Sequence, residues 1–158
     1  MDHMLDVFSN QNQLMVEDAK NEIRNCNDFT EKFGLILSEK DIEELVHCRL
    51  EALKNTGRVE FGGGILPKLI YAFCDSPFIR QDNYETTLVE LQEAFYYYKS
   101  EALDYYTDDE LIEFMVVVFN GRAQGSAEYL VNTSLEALCR YARNGYDDRN
   151  VYEAGDLF

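Results

Sequence analysis

The chain has 158 residues and carries 30 Asp and Glu against 14 Lys and Arg, a formal net charge of −16 at pH 7. That excess repels nucleic-acid phosphates and anionic lipid, so neither nucleic acid nor a membrane surface is an expected partner. A hydrophobic fraction of 46% with 10 Phe and 11 Tyr supplies a full core without disulfides or a metal, and no apolar run approaches the ~18 residues that span a bilayer.

The four cysteines, Cys26, Cys48, Cys74 and Cys139, lie far apart with no CxxC pair, which argues against a zinc ribbon or a redox motif. They read as reduced, mostly packed thiols. No N-terminal stretch joins a basic region, an apolar run and a small-residue cleavage site, so a cytoplasmic protein is expected, with no cofactor and no metal.

In chain order, residues 1–10 lack a period and are expected to form a mobile or loosely docked start. A first helix is predicted from about Asn12 to Asn25, on an imperfect stripe of Leu14, Ala19, Ile23 and Cys26. Ser38 followed by Asp41 resembles a capping pair, and Ile42, Leu45, Val46, Leu50 and Leu53 then recur at helical spacing up to a stop at Gly57. After Gly62-Gly63-Gly64, Pro67 fits the first turn of a short buried helix carrying Leu66, Leu69, Ile70 and Phe73.

Asp75-Ser76-Pro77 should stop that helix. Asp82, with Glu85 three residues on, is expected to open a long helix to about Ala102, with a core stripe of Tyr84, Leu88, Leu91, Phe95 and Tyr98. Thr107-Asp108-Asp109-Glu110 is the clearest capping box, and the Phe114–Phe119 run behind it is apolar on nearly every side, which makes this helix the expected centre of the bundle. The run Met115-Val116-Val117-Val118-Phe119 also suits a buried strand, because periodicity cannot settle a short β-branched segment; the cap and the acidic first turn favour helix. Asn120-Gly121 ends it. A last helix is predicted with Ala127, Val131, Leu135, Leu138 and Ala142 on one face, closed by Asn144-Gly145 and followed by an acidic tail from Tyr146 to Phe158 that is either mobile or docked.

With no internal repeat and no long Pro/Gly/Ser linker, residues 1–158 read as a single all-α domain. It is expected to be an irregular bundle of about six helices with glycine-rich loops between them. The stretches GRVEFGGGILPKLIYAFCDSPFI (Gly57 to Ile79), DDELIEFM (Asp108 to Met115) and NGRAQGSAEYL (Asn120 to Leu130) resemble those of a family of small proteins of unknown function from anaerobic Gram-positive bacteria. The resemblance implies a bacterial cytosolic origin and brings no activity or catalytic residue with it.

Two regions carry candidate chemistry. Ten acids between Asp82 and Glu113 oppose Lys99 alone, a local charge of −9. Beside them stand the aromatic runs Phe95-Tyr96-Tyr97-Tyr98 and Tyr105-Tyr106. Tyrosine next to carboxylates suits recognition of a basic or amphipathic protein segment. The first functional expectation is therefore a non-enzymatic protein-interaction module using Glu93, Tyr96, Tyr97, Tyr105 and Tyr106 around residues 82–113. The bland alternative is that these rings simply cover neighbouring helices.

The second expectation is a small anionic-ligand binder or enzyme built on the glycine-rich loops 57–68 and 120–126. Glycine amides and the following helix N-termini attract anions. If the loops converge, Arg58, Gly62, Gly63, Gly64, Lys68, Arg122, Gln124, Gly125 and Ser126 surround one pocket. The spacing matches neither a P-loop nor a dinucleotide fingerprint, and the bland reading is positive-φ glycines in helix-to-helix turns. Acidic mimicry of nucleic acid is a third reading, and it requires carboxylates spaced like phosphates.

Nothing in the sequence completes a catalytic or metal constellation. Asp108, Asp109, Glu110 and Glu113 lack EF-hand spacing and are already favoured by the helix dipole. His47, one turn from Glu43 and Glu51, reads as a solvated helix-face histidine, and its neighbour Cys48 points about 100° away from it.

Overall fold

The computed structural model describes the backbone of residues 2–144 and the side chains from residue 13 onward. Six helices and no strand form among the described residues. The helix α1 spans Asp2–Thr30, longer at both ends than its weak stripe suggested. It runs into a 3₁₀ turn, Glu31–Phe33, which Gly34 closes in the left-handed region at φ 77°.

The segment that follows, Leu35 to Leu37, is held by side-chain amides rather than by a helix. Asn27 both accepts from the Leu37 N–H (2.8 Å) and donates to its carbonyl (2.9 Å), and Gln81 does the same for Ile36 at 2.8 Å in each direction. Two amides thereby satisfy backbone groups that would otherwise have no partner.

Ser38 opens α2 (Glu39–Thr56) with a complete capping box: its Oγ accepts from the Asp41 N–H at 3.1 Å, and its own N–H donates to Asp41 Oδ2 at 3.0 Å. Gly57 stops the helix at φ 67°, as its position promised. The buried face of α2 is Ile42, Leu45, Val46, Arg49 and Leu53. Leu50, expected on that face, is 44% exposed, and Arg49 takes the interior position instead.

The short α3 (Leu66–Phe73) carries Pro67 in its first turn and buries one face completely, with Leu66, Leu69, Ile70 and Phe73 at 0% exposure, while Lys68 and Tyr71 face outward. The long helix α4 (Tyr84–Glu101) begins later than Asp82. Asp82 pairs with Arg80 (3.2 Å), while Asn83 turns back to accept from the Arg80 N–H (2.8 Å), so neither side chain caps the helix. Its stripe of Tyr84, Leu88, Leu91, Phe95 and Tyr98 is buried as expected, and Gln92, Ala94, Tyr96 and Lys99 are buried too.

Thr107 caps α5 (Asp108–Asn120) through both halves of its box, with 3.1 Å and 3.0 Å hydrogen bonds to Glu110. The Met115–Phe119 run is therefore helix, the alternative the cap favoured. It is not the centre of the bundle, however. Val117 is 48% exposed, whereas α4 contacts α2, α3, α5 and the last helix and is covered on more of its circumference.

The last helix, α6, is one run made of an α-helical turn Ala127–Tyr129, a π-helical segment Leu130–Leu135 and an α-helical stretch Glu136–Asn144. The wider π turn rotates the inward face. Leu130, Ser134, Leu135, Leu138 and Cys139 are buried, while Val131 and Ala142 of the expected stripe are only half-buried. Gly145 and the acidic tail lie outside the described residues. The core is continuous from Ala19 on α1 to Cys139 on α6, with α2 and α4 packed along one another through its middle.

Candidate functional site

Where α2, α4 and α6 diverge at the surface they leave an open groove of about 760 Å³. The polar residues that each helix contributes are ones its own sequence presents as ordinary solvated surface. His47, Glu51 and Asn55 repeat at i, i+4, i+8 along α2; Glu90, Glu93 and Tyr97 repeat at three and four residues along α4. The third wall is Glu128, Val131 and Asn132, the last two within the π-helical segment, and Ala52 and Ala94 line the groove between the charged positions.

Tyr98 joins two walls. Its hydroxyl donates to the Val131 carbonyl at 2.7 Å, and burial pushes its pKa up to about 12, so it stays neutral and remains a donor. Tyr97, by contrast, is 54% exposed and stands edge-on to the Tyr98 ring at 4.9 Å.

The electrostatics are one-sided. Among the described residues no Lys or Arg pairs with Glu51, Glu90, Glu93 or Glu128. The negative strip continues along the α2–α4 seam, where burial raises the pKa of Glu85 and the nearby Asp41 and Glu44 carboxylates raise it further.

This distribution differs from the one read along the chain. Half of the ten acids of residues 82–113 meet cations: Arg58 on Asp104 (2.6 Å), Lys68 on Asp109 (2.9 Å), Arg143 on Glu101 (2.9 Å) and Arg80 on Asp82 (3.2 Å) come from outside the segment, and its own Lys99 pairs with Asp108 (2.9 Å). Glu90 and Glu93 of this segment, by contrast, stand in the groove with Glu51 and Glu128 and have no such cation.

Of the residues predicted for protein recognition, Glu93 and Tyr97 stand in the groove. Tyr96 is a correction: it is 1% exposed, forms only part of the floor, and donates its hydroxyl to Glu60. Tyr105 and Tyr106 lie instead at the α4–α5 connection, with Tyr106 half-buried and donating to the Leu138 carbonyl at 3.1 Å. The contributions of Glu51, Asn55, Glu90, Glu128 and Asn132 were not legible, because only the packing of α2 on α4 and α6 makes three separate hydrophilic faces into one surface.

The two glycine-rich loops acquire different neighbours. In the first, the Gly63 N–H donates to Glu22 Oε2 at 2.7 Å, so the anion at this amide is a carboxylate of the chain itself. Gly62 and Gly64 take positive φ (58° and 61°), Arg58 is engaged by Ser100 and Asp104, and Lys68 reaches Asp109. In the second, Gly125 lies against Phe78 and donates its N–H to the Phe119 carbonyl at 2.8 Å, while Gln124 adopts φ 49°. Ser126 caps α6 by accepting from the Tyr129 N–H at 3.1 Å, and Arg122 is exposed. The 760 Å³ groove takes no residue of loop 57–68, and a smaller cleft that takes Glu60 and Gly62 takes none of loop 120–126.

Cys48 brings a thiol to the groove lining. Burial, then the Glu44 and Glu93 carboxylates, push its pKa up to about 11. At neutral pH it is a thiol, not a thiolate, and unsuited to covalent catalysis. Iodoacetamide should label it about a hundredfold more slowly near neutral pH than a cysteine of ordinary pKa, with the rate climbing as pH approaches that value. Rapid labelling at neutral pH, followed by peptide mass spectrometry, would show that burial and the carboxylates together do not hold the thiol protonated.

Among the described residues no group of His, Cys, Asp and Glu is arranged to hold a metal ion, and no helix is long and apolar enough to cross a membrane.

A family model described as a family of unknown function (DUF6323) matches residues 22–148. The chain belongs to that family. The part matched to DUF6323 contains all three walls of the groove and both glycine-rich loops, whereas the first five turns of α1 precede it. Neither a curated protein nor a solved structure matches the chain.

Proposed function

We propose that this member of the DUF6323 family is a non-enzymatic interaction module of the cytosol of a Gram-positive anaerobe, and that its α2–α4–α6 groove receives a basic, amphipathic segment of a partner protein. The observation that carries this reading is the set of four groove carboxylates, Glu51, Glu90, Glu93 and Glu128, without Lys or Arg partners among the described residues. Lysine and arginine side chains meet those carboxylates, Tyr97 offers a ring face to a cation, and Val131 with Ala52 and Ala94 offers apolar contact for the other face of the segment. The chain's net charge of −16 speeds encounter with a basic partner and disfavours acidic ones. The small anionic-ligand reading of loops 57–68 and 120–126 gains no comparable support, since Arg58, Lys68 and the Gly63 amide already have acidic partners within the chain.

A designed amphipathic Lys/Leu helix, titrated into labelled protein and followed by NMR, tests the reading. Shifts should concentrate at His47, Glu93, Tyr97 and Asn132, and affinity should fall as salt rises. The double variant Glu51→Lys/Glu93→Lys should bind roughly tenfold more weakly, and Tyr97→Ala more weakly as well. Shifts spread elsewhere on the surface, or affinity indifferent to the two charge reversals, would sink the proposal.

A further inference from the structure

A second cavity, a cleft of about 300 Å³ on the opposite edge of α2, is lined by Met15 and Val16 of α1, by Val46, Arg49, Leu50 and Leu53 of α2, and by Glu60 and Gly62. Its walls are apolar except for one ion pair. Arg49 is 4% exposed, and its Nε donates to Glu60 Oε1 at 3.3 Å. Glu60 also accepts from the Tyr96 hydroxyl. The guanidinium carries five N–H donors, and its Nη2 is buried without a hydrogen-bond partner.

That unmet donor is costly to maintain in a finished fold, because a buried charged N–H has surrendered its water and received nothing in exchange. Gly64 shows how closely the loop has been fitted around it: a Cβ at this residue would lie 2.9 Å from Arg49 Nε and Nη2 and 2.0 Å from Glu60 Oε1. Around the cleft the rim is apolar, with Leu50 44% exposed and Met15 41%. An interior cation with unused hydrogen-bonding capacity, reached between apolar walls and edged by exposed apolar side chains, is the arrangement that recognises an amphiphilic anion.

We infer that the cleft binds a small apolar monocarboxylate, with the hydrocarbon between Val16, Val46, Leu50 and Leu53 and the carboxylate taken by Arg49. The Arg49 Nε meets Glu60 at a long 3.3 Å and its Nη2 has no hydrogen-bond partner, so a rotamer step of the long stem brings the Nη2 donor to the ligand. This cleft shares no lining residue with the proposed protein-binding groove, and the two meet through the Tyr96 hydroxyl, which donates to Glu60. The cleft also dictates a counter-intuitive dependence. Glu60 shares the charge of Arg49 and repels an incoming carboxylate, so neutralising Glu60 while keeping its hydrogen-bonding shape should tighten binding.

The test uses octanoate, octanol and octylamine with the full chain, followed by methyl NMR and thermal shift. Octanoate is expected to shift the methyl signals of Val16, Val46 and Leu50 and to raise the melting temperature, with octanol bound about 10- to 100-fold more weakly and octylamine weaker still. Glu60→Gln should tighten octanoate roughly tenfold, and Arg49→Gln should abolish the preference for octanoate over octanol. Leu50→Trp, which fills the half-exposed rim without touching the ion pair, should remove octanoate binding while the helical circular dichroism is retained. Equal binding of octanoate and octanol, no methyl shifts at millimolar octanoate, or an affinity unchanged by Glu60→Gln would each overturn the inference and leave the cleft as a packing gap.

Discussion

Glu60→Leu is expected to destabilise the protein by about 3 kcal/mol, because removing one member of a buried ion pair leaves the other charge uncompensated. The residue lies in the glycine-rich connection between α2 and α3, outside any helical stripe. In the fold its carboxylate accepts from both Arg49 and Tyr96, side chains that are 4% and 1% exposed. Leucine would strand a buried guanidinium and a buried hydroxyl together. For a chain of this length the loss corresponds to roughly 10 °C in melting temperature, readable by calorimetry and by urea denaturation.

A companion variant separates the charge from the packing. Arg49→Met combined with Glu60→Leu exchanges the ion pair for apolar contact and should recover more than half of the loss, since such exchanges are often close to neutral. Wild-type stability in the single variant would mean that Glu60 does not hold Arg49 in the way its position implies.

Gly125→Val should be the other severe substitution, at about 4 kcal/mol, the combined cost of a β-branched residue in the left-handed region and of overpacking. Gly125 sits at φ 81°, and a Cβ there would lie 2.4 Å from Phe78 Cβ and 2.7 Å from its Cγ. The nearest atom is the Cβ of Phe78, so trimming that ring to alanine offers no relief and the loop itself must move. Gly57 provides the control. It has a similar φ of 67° but nothing within 4 Å of the added carbon, so Gly57→Ala should cost only the backbone term, about 1 kcal/mol. If the two substitutions prove equally mild by urea denaturation, the contact with Phe78 is not the constraint at Gly125.

The features that were legible in the sequence are those whose physics is local. The Ser38–Asp41 and Thr107–Glu110 boxes close over three residues, the Gly57 stop depends on one φ, and the stripe of α4 recurs at the helical period, so each could be read without a partner in space. The same locality explains the misplacements. Periodicity alone put Leu50 in the core and left Arg49 outside, because it cannot register that Glu60 waits on the other side of Arg49. Tyr96 looked like surface for the same reason, its hydroxyl partner being 36 residues away. Asn27 and Gln81 gave no sequence signal for bracing residues 35–37, since a polar residue on a helix or in a turn has many ordinary reasons to be there.

The sequence by itself determined that the chain is strongly acidic, that its class is all-α with one short run open to a strand, and where several of its helices start and stop, because composition and hydrogen-bonding caps act within a few residues. Only the tertiary structure decided where the charge goes unanswered. Ion pairing with Arg58, Lys68 and Arg143 quiets much of the segment that looked most negative, while packing α2 against α4 and α6 gathers Glu51, Glu90, Glu93 and Glu128 into one groove. Coulomb interactions depend on distance in space, and that distance is set by which helix faces are buried against one another.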